Sequence, residues 1–125
     1  MSQPELTKLL FQRNFEFFGS DGPVELHVAL NVEVPQPEDY DPEGTLVFLN
    51  VVIGGTEDDP FSLDAEMCAE FSWEEDEIPE DIIPLFLRRN APALLLGYLR
   101  PIVATTIQMS GLPPYNIPFM DFTGE

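Results

Sequence analysis

The sequence is short of basic residues. It holds five Lys and Arg against 23 Asp and Glu in 125 residues, and its formal net charge is −18. No Lys or Arg occurs between Asn14 and Leu87, where 20 of the acidic residues lie. Such a surface repels phosphate backbones and anionic lipid, so the sequence predicts neither nucleic-acid binding nor membrane insertion. It favours a basic partner, or the charge simply keeps the protein in solution.

The groups that most catalytic and metal sites require are also scarce. The only histidine, His27, falls on the polar side of a strand pattern with no Ser or Cys nucleophile motif near it. The only cysteine, Cys68, has acidic neighbours that oppose thiolate formation, and one His with one Cys is too few for a zinc site. Residues 39–44 match the opening of an EF-hand loop, but its last ligand position is Asn50 instead of Glu. The sequence therefore predicts no enzyme, no cofactor and no metal.

Long apolar runs are absent as well. No segment approaches the roughly 18 apolar residues of a membrane span, and the opening MSQPELTK has no basic region leading into an apolar stretch. A single cysteine cannot form an internal disulfide, which fits a reducing compartment. The hydrophobic content of 44% suffices for one core. We expect one cytoplasmic domain over residues 1–125.

Four segments have the patterns of β-strands. Residues 24–34 and 61–73 alternate apolar and polar side chains, which predicts strands with one wet face. Residues 45–53 are apolar on both sides, which predicts a central strand covered on both faces. The aromatic-rich residues 9–18 predict the first strand. Because the four follow one another through turn-rich linkers, they predict an antiparallel meander.

A different pattern follows the strands. Residues 79–89 predict a short helix, and Asn90 a cap for a long helix over residues 91–110, bent at Pro101 and ended by Gly111. The prolines of residues 112–122 predict an extended strip. The fold class is therefore α+β: a four-stranded antiparallel meander sheet, a long helix and an extended C-terminal strip.

The long helix carries more apolar surface than one face can bury. Apolar side chains surround much of its circumference, and such helices need cover from more than one side. A second subunit provides that cover, so we expect a homo-oligomer. The residues assigned to its interface are Leu95, Leu99, Val103 and Ile107.

Five short motifs resemble the SecB family of protein-export chaperones. They are AEFSW (residues 69–73), NAPALLLGYLR (90–100), IVATT (102–106), SGLPP (110–114) and IPFMDF (117–122). By the order of its elements the resemblance covers nearly the whole chain. Gly97 stands in place of a helix proline of the family, Pro101 is unusual, and Cys68-Ala69 stands where two glycines are common. The family's second C-terminal helix and acidic tail have no counterpart before Glu125.

The resemblance implies a tetramer, a dimer of dimers with the long helices at the interface between dimers. It implies an ATP-independent chaperone that binds non-native preproteins along apolar grooves and passes them to the motor SecA. The positions that match the family's peptide path are Phe15, Val28, Leu30 and Val32. The acidic positions that match the surface receiving the basic zinc-binding tail of SecA are Glu16 and Asp64.

Physical chemistry supports a chaperone independently, because a protein that holds unfolded chains needs exposed apolar area together with enough charge to stay soluble. Two alternatives remain open. A SecB-like chaperone dedicated to one client, such as an antitoxin, differs in client selectivity. An acidic adaptor or nucleic-acid mimic would bind a folded basic protein and ignore unfolded chains.

Overall fold

The chain forms one antiparallel sheet and one long helical segment. The structure, a computed structural model, describes residues 1–17, 26–74, 76–113, 115 and 117. The strands are β1 (Glu5–Arg13), β2 (Val28–Glu33), β3 (Thr45–Gly54) and β4 (Phe61–Phe71). A 3-10 turn (Pro37–Asp39) precedes β3, and the helical segment comprises α1 (Ile83–Leu85), a π-helical turn (Phe86–Asn90) and α2 (Ala91–Met109). The predicted α+β class is confirmed.

The strand order corrects the predicted meander. The order across the sheet is β1-β4-β3-β2, so β2, β3 and β4 form a meander but β1 pairs with β4. Arg13 lies opposite Phe61, and the backbone N–H of Asn14 donates to the carbonyl of Pro60 at 2.8 Å. The connection from β1 to β2 is not a tight hairpin, so neighbours in sequence need not pair. The result is a Greek-key arrangement.

The observed strand boundaries agree best with the predicted ones for the two central strands of the sheet. β3 and β4 begin at the predicted residues, whereas β1 begins four residues before residue 9. The second strand begins at Val28, and residues 24–25 of its predicted range lie outside the described residues. Residue 18 of the predicted first strand and most of the predicted C-terminal strip also lie outside them.

One face of the sheet forms the core against the helix. Alternate side chains of β3 and β4 are buried because successive side chains of a strand point to opposite faces. The helix covers this face with a stripe of buried residues. The largest fully buried side chains on the two strands and the helical segment are Val47, Leu49, Val51, Ile53, Leu63, Leu87, Leu95, Leu96, Leu99, Val103 and Ile107.

The opposite face of the sheet is not covered by the described residues. Leu46 and Val52 of β3 point to this outer face and are 46% and 37% exposed. Phe48 lies between them and is half-buried. Within the described residues, β3 is central in the sheet as predicted, and only its helix-facing side is covered. Cover of its other side stays a prediction.

The helical segment runs without a break from Ile83 to Met109. Asn90 has helical backbone angles and makes no side-chain capping bond, because the preceding turn is already helical. The predicted cap is therefore wrong. α2 continues through Pro101. Gly111 follows the end of α2 with φ +92, and its backbone N–H donates a hydrogen bond to the carbonyl of Gln108. Within the described residues, no helix is long and apolar enough to cross a membrane.

Candidate binding surface

An apolar cavity of about 380 Å³ opens at one end of the sheet. It is built by segments that are distant in sequence: the connection between β1 and β2, the start of β4, and the chain after α2. Its lining residues are Phe17, Leu26, Pro60, Phe61, Leu112, Pro113 and Tyr115. The sequence predicts no binding role for any of these residues. The prolines and aromatic residues after Gly111 are the feature of the sequence that could have indicated a binding surface.

Contacts around the cavity hold its walls in place. Phe61 stacks on Phe11, with ring centroids 5.6 Å apart and an interplanar angle of 27°. The Arg13 guanidinium donates to the carbonyl of Ser110 at 2.7 Å, which ties the end of α2 to the end of β1. This bond brings the chain that follows α2 beside the start of β4, where Arg13 lies opposite Phe61.

An apolar stripe leads away from this cavity along β2. Val28, Leu30 and Val32 share the helix-facing side of the strand and are half-buried, and Leu26, two residues before Val28, lines the cavity. Among the described strands, β2 has one neighbour, β3. Its other edge presents backbone N–H and C=O groups that an extended peptide can pair with. The cavity and the stripe, which we call the apolar track, can hold an extended apolar segment.

The structure places Phe15 apart from this track. Its side chain is 82% exposed in the turn after β1, and the Arg13 guanidinium lies 5.3 Å from its ring centroid. It lines a neighbouring depression that shares Phe61 with the cavity. Phe15 therefore extends the surface beside the cavity and does not join the β2 stripe.

The two predicted acidic positions lie in different settings. Glu16 is exposed in the turn after β1, and its backbone N–H donates to the Asn14 side chain at 3.0 Å. Asp64 lies on the outer face of β4, where it accepts a hydrogen bond from Asn50 at 2.8 Å and pairs with Lys8 at 3.1 Å. The Asn50 bond, followed by the contact with Lys8, lowers the pKa of Asp64. Its charge is thus partly balanced by a lysine that β1 brings beside it.

The four helix residues assigned to an interface are core residues of the single chain. Leu95, Leu99, Val103 and Ile107 are each 0% exposed on the side of α2 that covers the sheet. Their spacing of four residues is that of a buried helix stripe. Side chains without exposed area cannot touch a second copy, so this assignment is corrected. The exposed large apolar side chains on the helical segment and just before it are Ile82, Leu85, Leu94, Tyr98 and Met109.

Metal-ligating groups do not converge in the described part of the chain, where no cluster of three His, Cys, Asp or Glu could hold a metal ion. Cys68 is 7% exposed, and burial, followed by the charges of Glu5 and Glu66, raises the pKa of its thiol. The apolar track is therefore the candidate site for a binding function.

Comparison with known proteins agrees with this architecture. No protein-family model matches the chain. Over 64 residues it is 31% identical to the protein-export protein SecB of Anaplasma phagocytophilum (strain HZ), a match that covers 50% of this chain and 40% of that protein. The chain thus aligns with less than half the length of this relative.

Solved structures extend the similarity to the fold. The Mycobacterium tuberculosis SecB-like chaperone Rv1957, in complex with a ChAD peptide from the Rv1956 HigA1 antitoxin, matches with a TM-score of 0.68 at 16% identity. That match covers 94% of this chain and 84% of the other. A protein of unknown function from Streptococcus agalactiae matches more weakly, with a TM-score of 0.44 and 13% identity over 94% of both chains.

Proposed function

We propose that this chain, which is SecB-like in fold and in sequence as its motifs predicted, is an ATP-independent chaperone that holds non-native polypeptide on the apolar track. The observation that carries the proposal is that Leu26, which lines the cavity, lies two residues before Val28, where the apolar stripe of β2 begins. We place it in the cytoplasm, because a sequence with a single cysteine fits a reducing compartment.

Holding needs no chemical step. An extended client segment would place an apolar side chain between Phe61 and Tyr115 and lay its backbone along β2. Each buried apolar Å² contributes about 25 cal/mol, so one large side chain supplies roughly 1.5–3 kcal/mol. The net charge of −18 would keep the loaded complex soluble.

An aggregation assay tests this function. Without nucleotide, the protein should suppress aggregation of a chemically unfolded client, and ATP should change nothing. Leu112→Glu would place a charge at the cavity wall and should weaken client binding by at least about tenfold, or 1.4 kcal/mol. Ile82→Glu, at an exposed apolar position just before α1 that belongs neither to the apolar track nor to the outer sheet face, is the matched control and should leave suppression intact. Unchanged aggregation at several-fold molar excess of wild-type protein would refute the proposal.

The assembly we propose is a homotetramer. Its support is the apolar surface left exposed on one chain: the outer sheet face with Leu46 and Val52, and the outward side of the helix with Leu94 and Tyr98. Exposed area of this kind marks an interaction surface. Both surfaces are available to further copies because the core uses the other sides of the same elements.

We also propose that the protein delivers its clients to SecA. Glu16 and Asp64 are the acidic positions that the resemblance assigns to the basic tail of SecA. Reversing both to Lys should weaken SecA binding by at least about tenfold while client holding survives, because charge reversal repels a basic ligand. Unchanged affinity would remove these two residues from the interface.

A dedicated chaperone is the second candidate. Its support is the structural match to a SecB-like chaperone in complex with an antitoxin peptide. Titration of wild-type protein with SecA separates the two candidates: absence of binding favours a single dedicated client. If the protein binds only folded basic proteins and leaves unfolded chains to aggregate, the acidic-adaptor alternative replaces both.

A further inference from the structure

A second cavity, of about 860 Å³, lies at the opposite end of the sheet from the 380 Å³ cavity. It is bounded by the segment that enters β3 and by the segment between β4 and α2. Its volume falls in the range of small-molecule sites, about 300–1,000 Å³. None of the proposed chaperone contacts uses it.

Two aromatic rings form one part of its lining. Tyr40 and Trp73 meet edge to face, with centroids 6.3 Å apart and an interplanar angle of 89°. The backbone N–H of Trp73 donates to the carbonyl of Pro42 at 2.8 Å, which joins the two segments. Thr45 Oγ1 donates to the carbonyl of Asp41 at 2.8 Å and accepts from its N–H at 2.9 Å. The rings are thus held in position without a ligand.

The remaining polar lining is entirely acidic. Asp76, Glu77 and Glu80 line the cavity, and no Lys, Arg or His is among its described lining residues. Such a site repels anions and attracts cations. Aromatic faces add a further attraction for organic cations. The hydroxyl of Tyr40 is buried and has no hydrogen-bond partner among the described residues.

A bare metal ion does not suit the same lining. Hard cations require several oxygen ligands that converge on one point. No group of three His, Cys, Asp or Glu in the described residues meets that requirement. Carboxylates spread around apolar and aromatic walls fit a larger cation with a diffuse charge.

We propose that this cavity binds an organic cation, specifically a guanidinium or alkylammonium group, against Tyr40 and Trp73 and within the field of the three carboxylates. The group can come from a free polyamine-type molecule or from an Arg or Lys side chain of a bound polypeptide. The site goes beyond the proposed chaperone function and does not depend on it.

Trp73 is the only tryptophan of the chain, so tryptophan fluorescence reports on the surroundings of this one ring of the cavity wall. Titration with agmatine should give a saturable change in emission that weakens with added salt, and calorimetry should return the same Kd. N-butylurea, an uncharged compound of similar shape to one end of agmatine, should bind at least about tenfold more weakly. Equal binding of the uncharged compound, or no binding of agmatine by either method at millimolar concentration, overturns the proposal.

Two double variants assign the effect to the cavity. Glu77→Gln with Glu80→Gln should raise the Kd for agmatine at least about tenfold. Glu57→Gln with Asp58→Asn makes the same change in net charge, in the exposed turn between β3 and β4 at the other end of the sheet, and should leave the Kd within about twofold. Equal loss in both variants would mean a general charge effect and no site.

The source of the cation is decided by a peptide comparison. An acetylated Gly-Arg-Gly amide is titrated beside agmatine and beside its citrulline counterpart, which lacks the charge. Tighter binding of the Arg peptide than of agmatine assigns the site to a polypeptide side chain, and the reverse order assigns it to a free cation. The cation proposal fails if the citrulline peptide binds as well as the Arg peptide.

Discussion

Single side chains on the outer face of the sheet take their properties from neighbours that the strands bring together. Cys68 and Asp64 are both on this face of β4, and β1 places Glu5 opposite the first and Lys8 beside the second. The sequence around Asp64 contains no basic residue, yet Asp64 is ion-paired. The residues near Asp64 in sequence therefore predict an unpaired carboxylate, whereas its neighbours in space include a lysine that pairs with it.

The buried thiol of Cys68 should react slowly. Because burial and nearby carboxylates raise its pKa, the thiolate fraction at pH 8 is smaller than in the unfolded chain. We expect native protein to react with a disulfide reagent at least about tenfold more slowly than protein in denaturant, as followed by absorbance. Equal rates would contradict the burial of this side chain.

The stability contribution of Asp64 should depend on pH. Its folded-state pKa is lowered, so it stabilises the fold above its unfolded-state pKa, about 3.9, and the stabilisation is lost as pH falls through the lower folded-state value. Since its side chain is 34% exposed, the effect should be no more than about 1 kcal/mol. Asp64→Asn should lower Tm at pH 7 and change it little near pH 2. An equal loss at both pH values would rule out the charge as the cause.

At the scale of elements, α2 has a buried apolar side and an exposed side that also carries large apolar residues. Its buried stripe covers the sheet, and its outward side keeps large apolar residues exposed. The sequence shows apolar side chains around much of the helix but does not identify which side faces the sheet. That choice depends on which residues fit the gaps between the side chains of β3 and β4.

Two truncations on α2 separate these sides. Leu99→Ala removes a side chain that is 0% exposed and should lower the free energy of unfolding by about 2–5 kcal/mol. Met109→Ala removes one that is 82% exposed and should change it by no more than about 0.5 kcal/mol. Chemical denaturation measures both. Similar costs for the two variants would contradict the orientation of the helix.

At the scale of the whole molecule, the described chain has apolar surface on both of its outer sides. The outer sheet face and the outward side of the helix flank a core that is already closed between them. The assembly proposed above would therefore use surfaces other than the core, because the residues assigned to an interface from sequence have no exposed area in the single chain.

An outward charge should separate the proposed assembly without unfolding the chain. Leu94→Asp together with Tyr98→Asp would place two unpaired charges in the interface, which costs several kcal/mol. We expect light scattering to move from about four times the chain mass of 14.1 kDa to a smaller species, with the far-UV circular dichroism unchanged. Wild-type protein with the mass of one chain across micromolar concentrations would refute the oligomer.

Local patterns in the sequence determined the strands β3 and β4, the long helix ended by Gly111, the acidic surface and the SecB resemblance. Periodicity, charge and turn chemistry are properties of neighbouring residues, so they can be seen without a fold. Only the tertiary structure decided that β1 pairs with β4, that Leu95 and Leu99 face inward, and that Lys8 meets Asp64. Both cavities belong to this second group, since each is lined by segments that only the packing of the sheet and helix brings together. These contacts join residues far apart in the chain, and which of them form depends on the apolar area that the complete arrangement buries.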